Sequence, residues 1–246
     1  MRVDATSYED ASERIIDWAR LGTSKYVCVA AVNNVMEAHD TPAFRDAMND
    51  ADLVTPDGMP LVWGLRALGV ADATRVYGPD LTPAILDAAA RSGIKVGFYG
   101  GTPDVLQALL DRIRSRWPDL KVVYAFSPPF GPIDEVEEAR STLEINASEA
   151  EILFVGLGCP KQELWMARHR GRVQAVMVGV GAAFDFLAGK KKQAPLLMQR
   201  TGTEWLFRLF SEPKRLWRRY LQHNPRFVAL FGAQLLRSRR AEHQTS

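Results

Sequence analysis

Cysteine and histidine are scarce in this chain, and neither is spaced for metal binding. The 246 residues include two cysteines, Cys28 and Cys159, and four histidines without HxxxH or HExxH spacing. Two cysteines cannot form a cysteine-rich zinc site or a disulfide framework, and they are typical of a reducing compartment. We therefore expect no transition-metal site. His39 and His169 fall in polar helical stretches, where we expect both side chains to be solvated.

Long hydrophobic runs and a leader pattern are also missing. The longest largely apolar stretch near the carboxyl terminus, Phe227–Leu236, has about half of the roughly 20 residues that a membrane-spanning helix needs. Acidic residues appear at once at the amino terminus and no apolar region follows, which argues against a signal peptide. We therefore expect a cytoplasmic protein, and contact with a membrane surface stays open.

Acidic residues become rare toward the carboxyl terminus. Residues 186–246 contain 13 Lys and Arg against three Glu, whereas residues 1–185 contain 18 Lys and Arg against 26 Asp and Glu. A basic tail on an acidic body predicts an anionic partner, and nucleic acid, anionic lipid and a diphosphate-bearing substrate all fit. With 47% hydrophobic and 24% charged residues, the chain has the composition of a soluble globular protein of one large domain or two small ones.

Short apolar runs alternate with amphipathic stretches over the first 185 residues. The apolar runs predict six strands: Tyr26–Val32, Leu53–Thr55, Lys95–Tyr99, Lys121–Phe126, Ile152–Gly156 and Ala175–Val180. The stretches around them predict seven helices: Tyr8–Arg20, Thr41–Ala51, Met59–Leu68, Thr82–Ser92, Pro103–Trp117, Ile133–Asn146 and Pro160–Arg170. This alternation is typical of α/β proteins with a mostly parallel sheet and helices on both faces.

Only helices are predicted beyond about Gly189. The tail pattern indicates helices at Thr203–Phe210, Pro213–Gln222 and Pro225–Arg237, since both prolines suit a first helical position. We therefore divide the chain into an α/β core, residues 1–189, and a basic helical appendage, residues 190–246.

Glycine-bearing turns follow three of the predicted strands, beginning at Gly100, Gly156 and Gly179. Glycine lets the backbone turn sharply and approach a ligand, and a helix amino terminus beyond it favours phosphate. A nucleotide-type ligand is one interpretation, and simple strand–helix turns are the other. Neither GxG completes GxGxxG, because Lys161 and Phe184 stand at the last position, so a nicotinamide site is disfavoured.

Two carboxylates lie just beyond predicted strands, Asp57 and Asp185. At such a position Asp57 is a candidate general base, with helix capping ahead of Pro60 as the alternative.

In the tail, residues 204–220 interleave aromatic side chains with arginines at helical spacing. This pattern predicts packing on the core or on lipid, and arginine binds diphosphate through paired charge-assisted hydrogen bonds. A solvated basic face is the alternative.

Six of these segments together resemble the WecG/TagA/CpsF glycosyltransferase family. They occur in order from about Tyr26 to Phe227, so the resemblance covers nearly the whole chain. The segments are Pro56–Pro60 (PDGMP), Arg75–Leu81 (RVYGPDL), Phe98–Gly101 (FYGG), Gly156–Glu163 (GLGCPKQE), Gly179–Gly189 (GVGAAFDFLAG) and Glu204–Tyr220 (EWLFRLFSEPKRLWRRY).

The resemblance implies an inverting, metal-independent glycosyltransferase without a cofactor. Such enzymes move a sugar from a UDP-sugar to a saccharide on a polyprenyl diphosphate, in the synthesis of bacterial surface polysaccharides such as exopolysaccharide and teichoic acid. It also implies a Rossmann-like core with a carboxyl-terminal appendage that docks on the cytoplasmic membrane face and helps close the site. The sugar, the acceptor, the linkage and a homo-oligomeric state stay open, and no nucleic-acid partner is expected.

The same resemblance implies roles for individual residues. Asp57 becomes the catalytic base, Gln162 a donor contact and Asp185 part of the nucleotide pocket, while Arg208, Arg215 and Arg218 stabilise the leaving diphosphate. The predicted substrate-binding set is Asn33, Arg75, Gly100, Gly101, Gly156, Gly158, Gln162, Glu163, Asp185, Arg208, Arg215 and Arg218. Ala31 stands where many members have threonine, so contacts at that corner are open.

Two other classes of function remain as alternatives. A nucleotide-dependent oxidoreductase is one, and it lacks its glycine fingerprint. A membrane-binding or nucleic-acid-binding module driven by the basic tail is the other, and it leaves the acidic body and the glycine turns unexplained.

Overall fold

The computed structural model describes residues 1–129, 131 and 134–244, and the side chains of these residues except Arg215 and residues 238–244. The first residue of the predicted helix Ile133–Asn146 therefore lies outside the described residues, as do the side chain of Arg215 and the placement of Phe130 and Pro132.

The core is a six-stranded sheet in which every paired strand is parallel. The strands are β1 (Lys25–Ala30), β2 (Leu53–Pro56), β3 (Lys95–Gly100), β4 (Lys121–Phe126), β5 (Ile152–Gly156) and β6 (Val176–Gly179), in the spatial order β2-β1-β6-β5-β3-β4. The residues of β2 and β6 are entirely buried, because helices cover both faces of the sheet. The six predicted strands and the α/β class are confirmed.

Helices connect the strands and form the outer layers. In chain order they are α1 (Tyr8–Arg20), α2 (Val32–Asp40), α3 (Pro42–Asn49), α4 (Met59–Ala67), α5 (Gly78–Ser92), α6 (Pro103–Arg116), α7 (Glu135–Ala147), α8 (Lys161–His169), α9 (Ala183–Leu187), α10 (Leu196–Arg200), α11 (Glu204–Ser211) and α12 (Pro213–Gln244).

Two apolar clusters pack against opposite faces of the sheet. On one face α1, α5 and α6 bury side chains such as Ile15, Leu81 and Leu109. On the other face α2, α3 and α8 bury residues such as Phe44 and Trp165. Burial of this apolar surface is the main driving force for the three-layer arrangement.

Helices α2 and α5 begin where the sequence did not predict them, and the short helices α9 and α10 were not predicted at all. Strand β1 ends at Ala30 and α2 begins at Val32, where a continuous strand was predicted; Asn34 Oδ1 accepts the Ala31 backbone N–H at 3.1 Å and stabilises the turn. Helix α5 begins at Gly78 and not at Thr82, because Asp57 Oδ2 accepts the Gly78 N–H at 3.1 Å. In both cases a side chain satisfies a backbone donor at the helix entry.

The tail departs from prediction at Pro225. Helix α12 runs through this proline, whereas two separate helices were predicted. An internal proline costs one backbone hydrogen bond, and packing along α2 compensates for it. Leu216 and Phe227 are buried on this side of α12, and the Phe227 ring stacks on Phe231 with centroids 5.6 Å apart.

The predicted boundary at residue 189 falls in the segment between α9 and α10. Among the described residues, none of the helices combines the length and the apolar character needed to cross a bilayer.

Candidate active site

A cavity opens at the carboxyl ends of β1, β2, β5 and β6, and residues of α11 and α12 line its other side. In parallel α/β sheets, ligands bind in the crevice outside the carboxyl ends of the strands. Seven of the predicted site residues line the cavity: Asn33, Asp57, Arg75, Gly158, Gln162, Glu163 and Arg208. They come from four segments of the core, at or just beyond the ends of its strands, and from the tail.

Asp57 lies directly beyond β2 and is largely buried. Its Oδ2 accepts the backbone N–H of Gly78, the first residue of α5, at 3.1 Å. The carboxylate therefore lies at the amino terminus of α5, and not at that of α4, where the alternative interpretation had it capping. A helix amino terminus favours a negative charge.

Arg75 connects Asp57 to the tail. Its Nε donates to the backbone oxygen of Asp57, its Nη2 lies 3.9 Å from Asp57 Oδ1, and the same Nη2 lies 2.6 Å from Glu204 Oε2. The guanidinium also stacks 4.1 Å above the centre of the Tyr77 ring. One cation is thus shared by a carboxylate of the core and a carboxylate of α11.

Burial raises the pKa of Asp57 above its ordinary value, although Arg75 and the Gly78 N–H act in the opposite direction. Glu204 raises the pKa further and Arg208 lowers it. A carboxylate that is partly desolvated and raised in pKa can accept a proton from a hydroxyl group in the cavity.

A second polar group lies across the cavity from β2. Glu163 Oε1 accepts hydrogen bonds from Asn34 Nδ2 at 3.1 Å and from Gln162 Nε2 at 2.9 Å. Glu163 Oε2 and Gln162 Oε1 are buried without a hydrogen-bond partner among the described residues. Burial raises the pKa of Glu163, against the hydrogen bonds from Gln162 and Asn34. These oxygens can receive donors of a ligand.

The predicted glycines divide into two groups. Gly158 lines the cavity with a φ of +78°, and a side chain there would meet no atom within 4 Å. Gly100, Gly101 and Gly156 are not brought to the cavity, because protein atoms occupy the space beside them. A Cβ on Gly156 would lie 2.7 Å from the Phe184 ring, and one on Gly100 would lie 2.6 Å from the backbone of Gly156.

The tail arginines are arranged differently from the prediction. Arg208 lines the cavity, with its guanidinium 5.6 Å from the centre of the Phe186 ring. Arg218 is directed outward and lies 5.2 Å from the centre of the Trp217 ring, whereas its neighbour Arg219 lines the cavity. The prediction for Arg215 falls on a side chain outside the described residues. Helical spacing from the apolar Leu216 indicates Arg219 as the inward arginine.

Asp185 is not brought to the cavity either. Its Oδ1 pairs with Lys191 Nζ at 3.5 Å, and the same ammonium pairs with Glu212 Oε1 at 3.3 Å. Asp185 thus connects the core to the tail.

Some residues that line the cavity were not predicted from the sequence. They include Asn34, Trp205, Tyr220, His223 and Asn224.

The expectation of a solvated His169 is wrong. Its ring is fully buried, stacks on Trp165 with centroids 3.9 Å apart, and has Nδ1 2.7 Å from the Trp165 carbonyl oxygen. Burial lowers the pKa of His169. His39 is exposed, as expected.

Within the described part of the chain, no three His, Cys, Asp or Glu side chains converge as a metal site would require.

Comparison with known proteins gives two findings. The sequence model of the glycosyl transferase WecG/TagA/CpsF family matches residues 1–241, which include the core and most of the tail. The chain is also 32% identical over 194 residues to an N-acetylglucosaminyldiphosphoundecaprenol N-acetyl-beta-D-mannosaminyltransferase from Bacillus spizizenii, covering 78% of this chain and 72% of that protein.

Proposed function

Since the chain belongs to the WecG/TagA/CpsF glycosyltransferase family, we propose that it transfers a sugar from a UDP-sugar to a saccharide carried on a polyprenyl diphosphate. The name of the Bacillus spizizenii relative supports an acceptor that begins with N-acetylglucosamine and a donor that carries N-acetylmannosamine. The observation that carries the proposal is the cavity itself, where a largely buried carboxylate and cavity-lining arginines face the same space.

Asp57 is the proposed base of a single displacement. It takes the proton from the acceptor hydroxyl while that oxygen forms a bond to the anomeric carbon. The bond between the anomeric carbon and the diphosphate oxygen breaks, and UDP leaves with the electron pair. Because attack and departure occur on opposite sides of the carbon, the configuration is inverted. The raised pKa of Asp57 supports this role, since a base is more effective when its pKa approaches the working pH.

Positive charge from the tail is proposed to stabilise the leaving UDP. Arg208 of α11 and Arg219 of α12 line the cavity opposite the strand ends. Guanidinium groups form paired, charge-assisted hydrogen bonds with diphosphate, and charge fixed in a closed site stabilises a developing anion. We propose that these arginines suffice without a divalent metal ion or another cofactor.

The tail also supports docking on the cytoplasmic face of the cell membrane, where a polyprenyl-linked acceptor would be found. Phe210 of α11 is 80% exposed, and Trp217, Leu221 and Val228 of α12 are exposed at helical spacing. Three consecutive lysines, Lys190–Lys192, precede these helices. Apolar side chains combined with basic residues favour an anionic lipid surface.

The deciding experiment is a transfer assay with chemically defined substrates. The protein is incubated with N-acetylglucosamine on a short polyprenyl diphosphate and with UDP-N-acetylmannosamine, UDP-N-acetylglucosamine or UDP-glucose, and the lipid product is identified by mass spectrometry. We expect transfer from at least one donor. Asp57→Asn should lower the rate by about 10²–10⁴-fold, the range of a general base.

The matched control is Asp111→Asn, which removes an exposed carboxylate on α6. It should keep the rate of the unmodified protein. Absence of product from every donor would contradict the proposed reaction, and normal turnover of Asp57→Asn would contradict the role of Asp57.

A further inference from the structure

A carboxylate of the tail reaches into the core beside the proposed base. Glu204 is the first residue of α11 and is 8% exposed, although glutamate at a helix start is ordinarily solvated. Its Oε2 lies 2.6 Å from Arg75 Nη2, and that nitrogen is 3.9 Å from Asp57 Oδ1. Nη2 therefore makes its short contact with Glu204 of the tail and its longer one with the Asp57 carboxylate.

The position of this guanidinium affects the chemistry of Asp57. A guanidinium in direct contact with a carboxylate stabilises the charged form and makes the carboxylate a poorer proton acceptor. Arg75 is anchored through Nε to the backbone oxygen of Asp57, so its Nη2 has only a short distance to move toward Oδ1. The Glu204 carboxylate is the group that holds Nη2 on the other side.

We propose that Glu204 is a positioning residue: it holds the Arg75 guanidinium away from the Asp57 carboxylate, so that docking of α11 prepares the base for proton transfer. The proposal rests on the proposed function in one respect, namely that Asp57 is the base. It adds a role for the tail that is separate from stabilising the leaving group or binding a membrane.

The charged or titratable groups that face Asp57 come from three parts of the chain. From the segment before α5 come Arg75 and Tyr77, from α11 come Glu204 and Arg208, and from α1 comes Tyr8. Burial raises the pKa of Tyr8 to about 12, and that of Tyr77 is also raised by burial, so both phenols are neutral over the working range. Because the phenols carry no charge, the anions beside Arg75 are Asp57 of the core and Glu204 of the tail.

The first test measures Asp57 directly and does not depend on turnover. The carboxyl ¹³C signal of Asp57, assigned with Asp57→Asn, is titrated in the unmodified protein and in Glu204→Gln. We expect the pKa of Asp57 to fall by about one unit in Glu204→Gln, because a neighbouring negative charge is lost and Arg75 closes on Asp57. Glu204→Asp keeps the charge and should restore most of the difference.

The matched control is Glu212→Gln, which removes the same charge from the same tail at a contact with Lys191. It should leave the Asp57 titration unchanged. In an Arg75→Met background, Glu204→Gln should shift the titration much less, because the guanidinium that Glu204 holds is absent. Equal shifts in Glu204→Gln and Glu212→Gln, or no shift in either, would overturn the proposal.

A second measurement follows the pH dependence of kcat/KM with a soluble acceptor analogue. The acid limb should move to lower pH in Glu204→Gln, and the rate at pH 7 should fall by up to about tenfold as the base weakens. A lower rate with an unmoved acid limb would mean that Glu204 only supports the fold. Turnover by Asp57→Asn would instead refute the base assignment, and the ¹³C titration would still decide whether Glu204 controls Arg75.

Discussion

Phe227 should contribute more than any surface ion pair to holding α12 on the core. The side chain is 8% exposed, belongs to the apolar cluster on the α2, α3 and α8 face, and stacks on Phe231. The Phe231 ring in turn packs closely over Gly64, at 3.2 Å from the position of a Cβ there. We expect Phe227→Ala to open a gap between tail and core.

The magnitude follows from the buried ring. Replacing a buried phenylalanine by alanine costs about 3–5 kcal/mol in protein cores. Because the gap lies at the edge of the core, where the helix can relax, we take the lower end, about 3 kcal/mol. That is about a hundredfold change in the ratio of docked to undocked tail. Asp40 and Arg226 form a two-hydrogen-bond pair nearby, but both side chains are exposed to solvent and contribute little.

The assay compares Phe227→Ala with the control Asp40→Asn. Hydrogen exchange of the α12 amides and trypsin cleavage in the basic tail report undocking, and transfer to a soluble acceptor reports its consequence. Phe227→Ala should speed exchange by up to about a hundredfold and lower transfer, while Asp40→Asn should change either only slightly. Equal effects of the two substitutions would refute the reasoning that apolar packing holds the tail.

Four further outcomes follow from the same structure. Burial raises the pKa of Glu163 in the folded state. The protonated carboxyl group therefore contributes its full stabilisation below the ordinary pKa of glutamate, and this stabilisation is lost as the pH rises through the folded value. Glu163→Gln should gain stability relative to the unmodified protein as the pH rises, which urea unfolding at a series of pH values measures. Gly156→Ala should cost about 1–3 kcal/mol of unfolding free energy, because its Cβ would lie 2.7 Å from the Phe184 ring; an unchanged denaturation midpoint would contradict that contact. Transfer should survive EDTA, and loss of activity that Mg²⁺ or Mn²⁺ restores would show that the arginines do not suffice. Truncation after Gly189 should release the protein from anionic liposomes and also abolish transfer to a soluble acceptor; full activity of the truncated core would restrict the tail to membrane binding.

Local patterns were enough to predict the core of this protein. Continuous apolar runs between amphipathic stretches predicted all six strands. For a strand such as β6, whose residues are all buried, the reason is that a strand covered on both faces must be apolar throughout. The helices α1, α6 and α8 were predicted to within a residue or two, since apolar periodicity and capping residues are local signals. Asp57 was placed at the carboxyl end of a parallel strand from its position alone, and the family followed from six segments in order.

Interactions between distant residues decided the rest. Gly78 begins α5 because Asp57 accepts its N–H, and α12 continues through Pro225 while it packs against α2. The same applies to the site: the family resemblance implied Arg218, whereas the folded chain places Arg219 at the cavity.

Gly100 and Gly156 show most clearly what the sequence alone could not predict. Their turns look like ligand-binding loops in the sequence, yet the Phe184 ring fills the space beside Gly156. The pair of Arg75 and Glu204 joins residues 129 positions apart and could not be read from either segment alone. Sequence periodicity reports which side of an element is apolar, whereas a contact between two elements depends on how the whole chain packs, and only the tertiary structure contains that information.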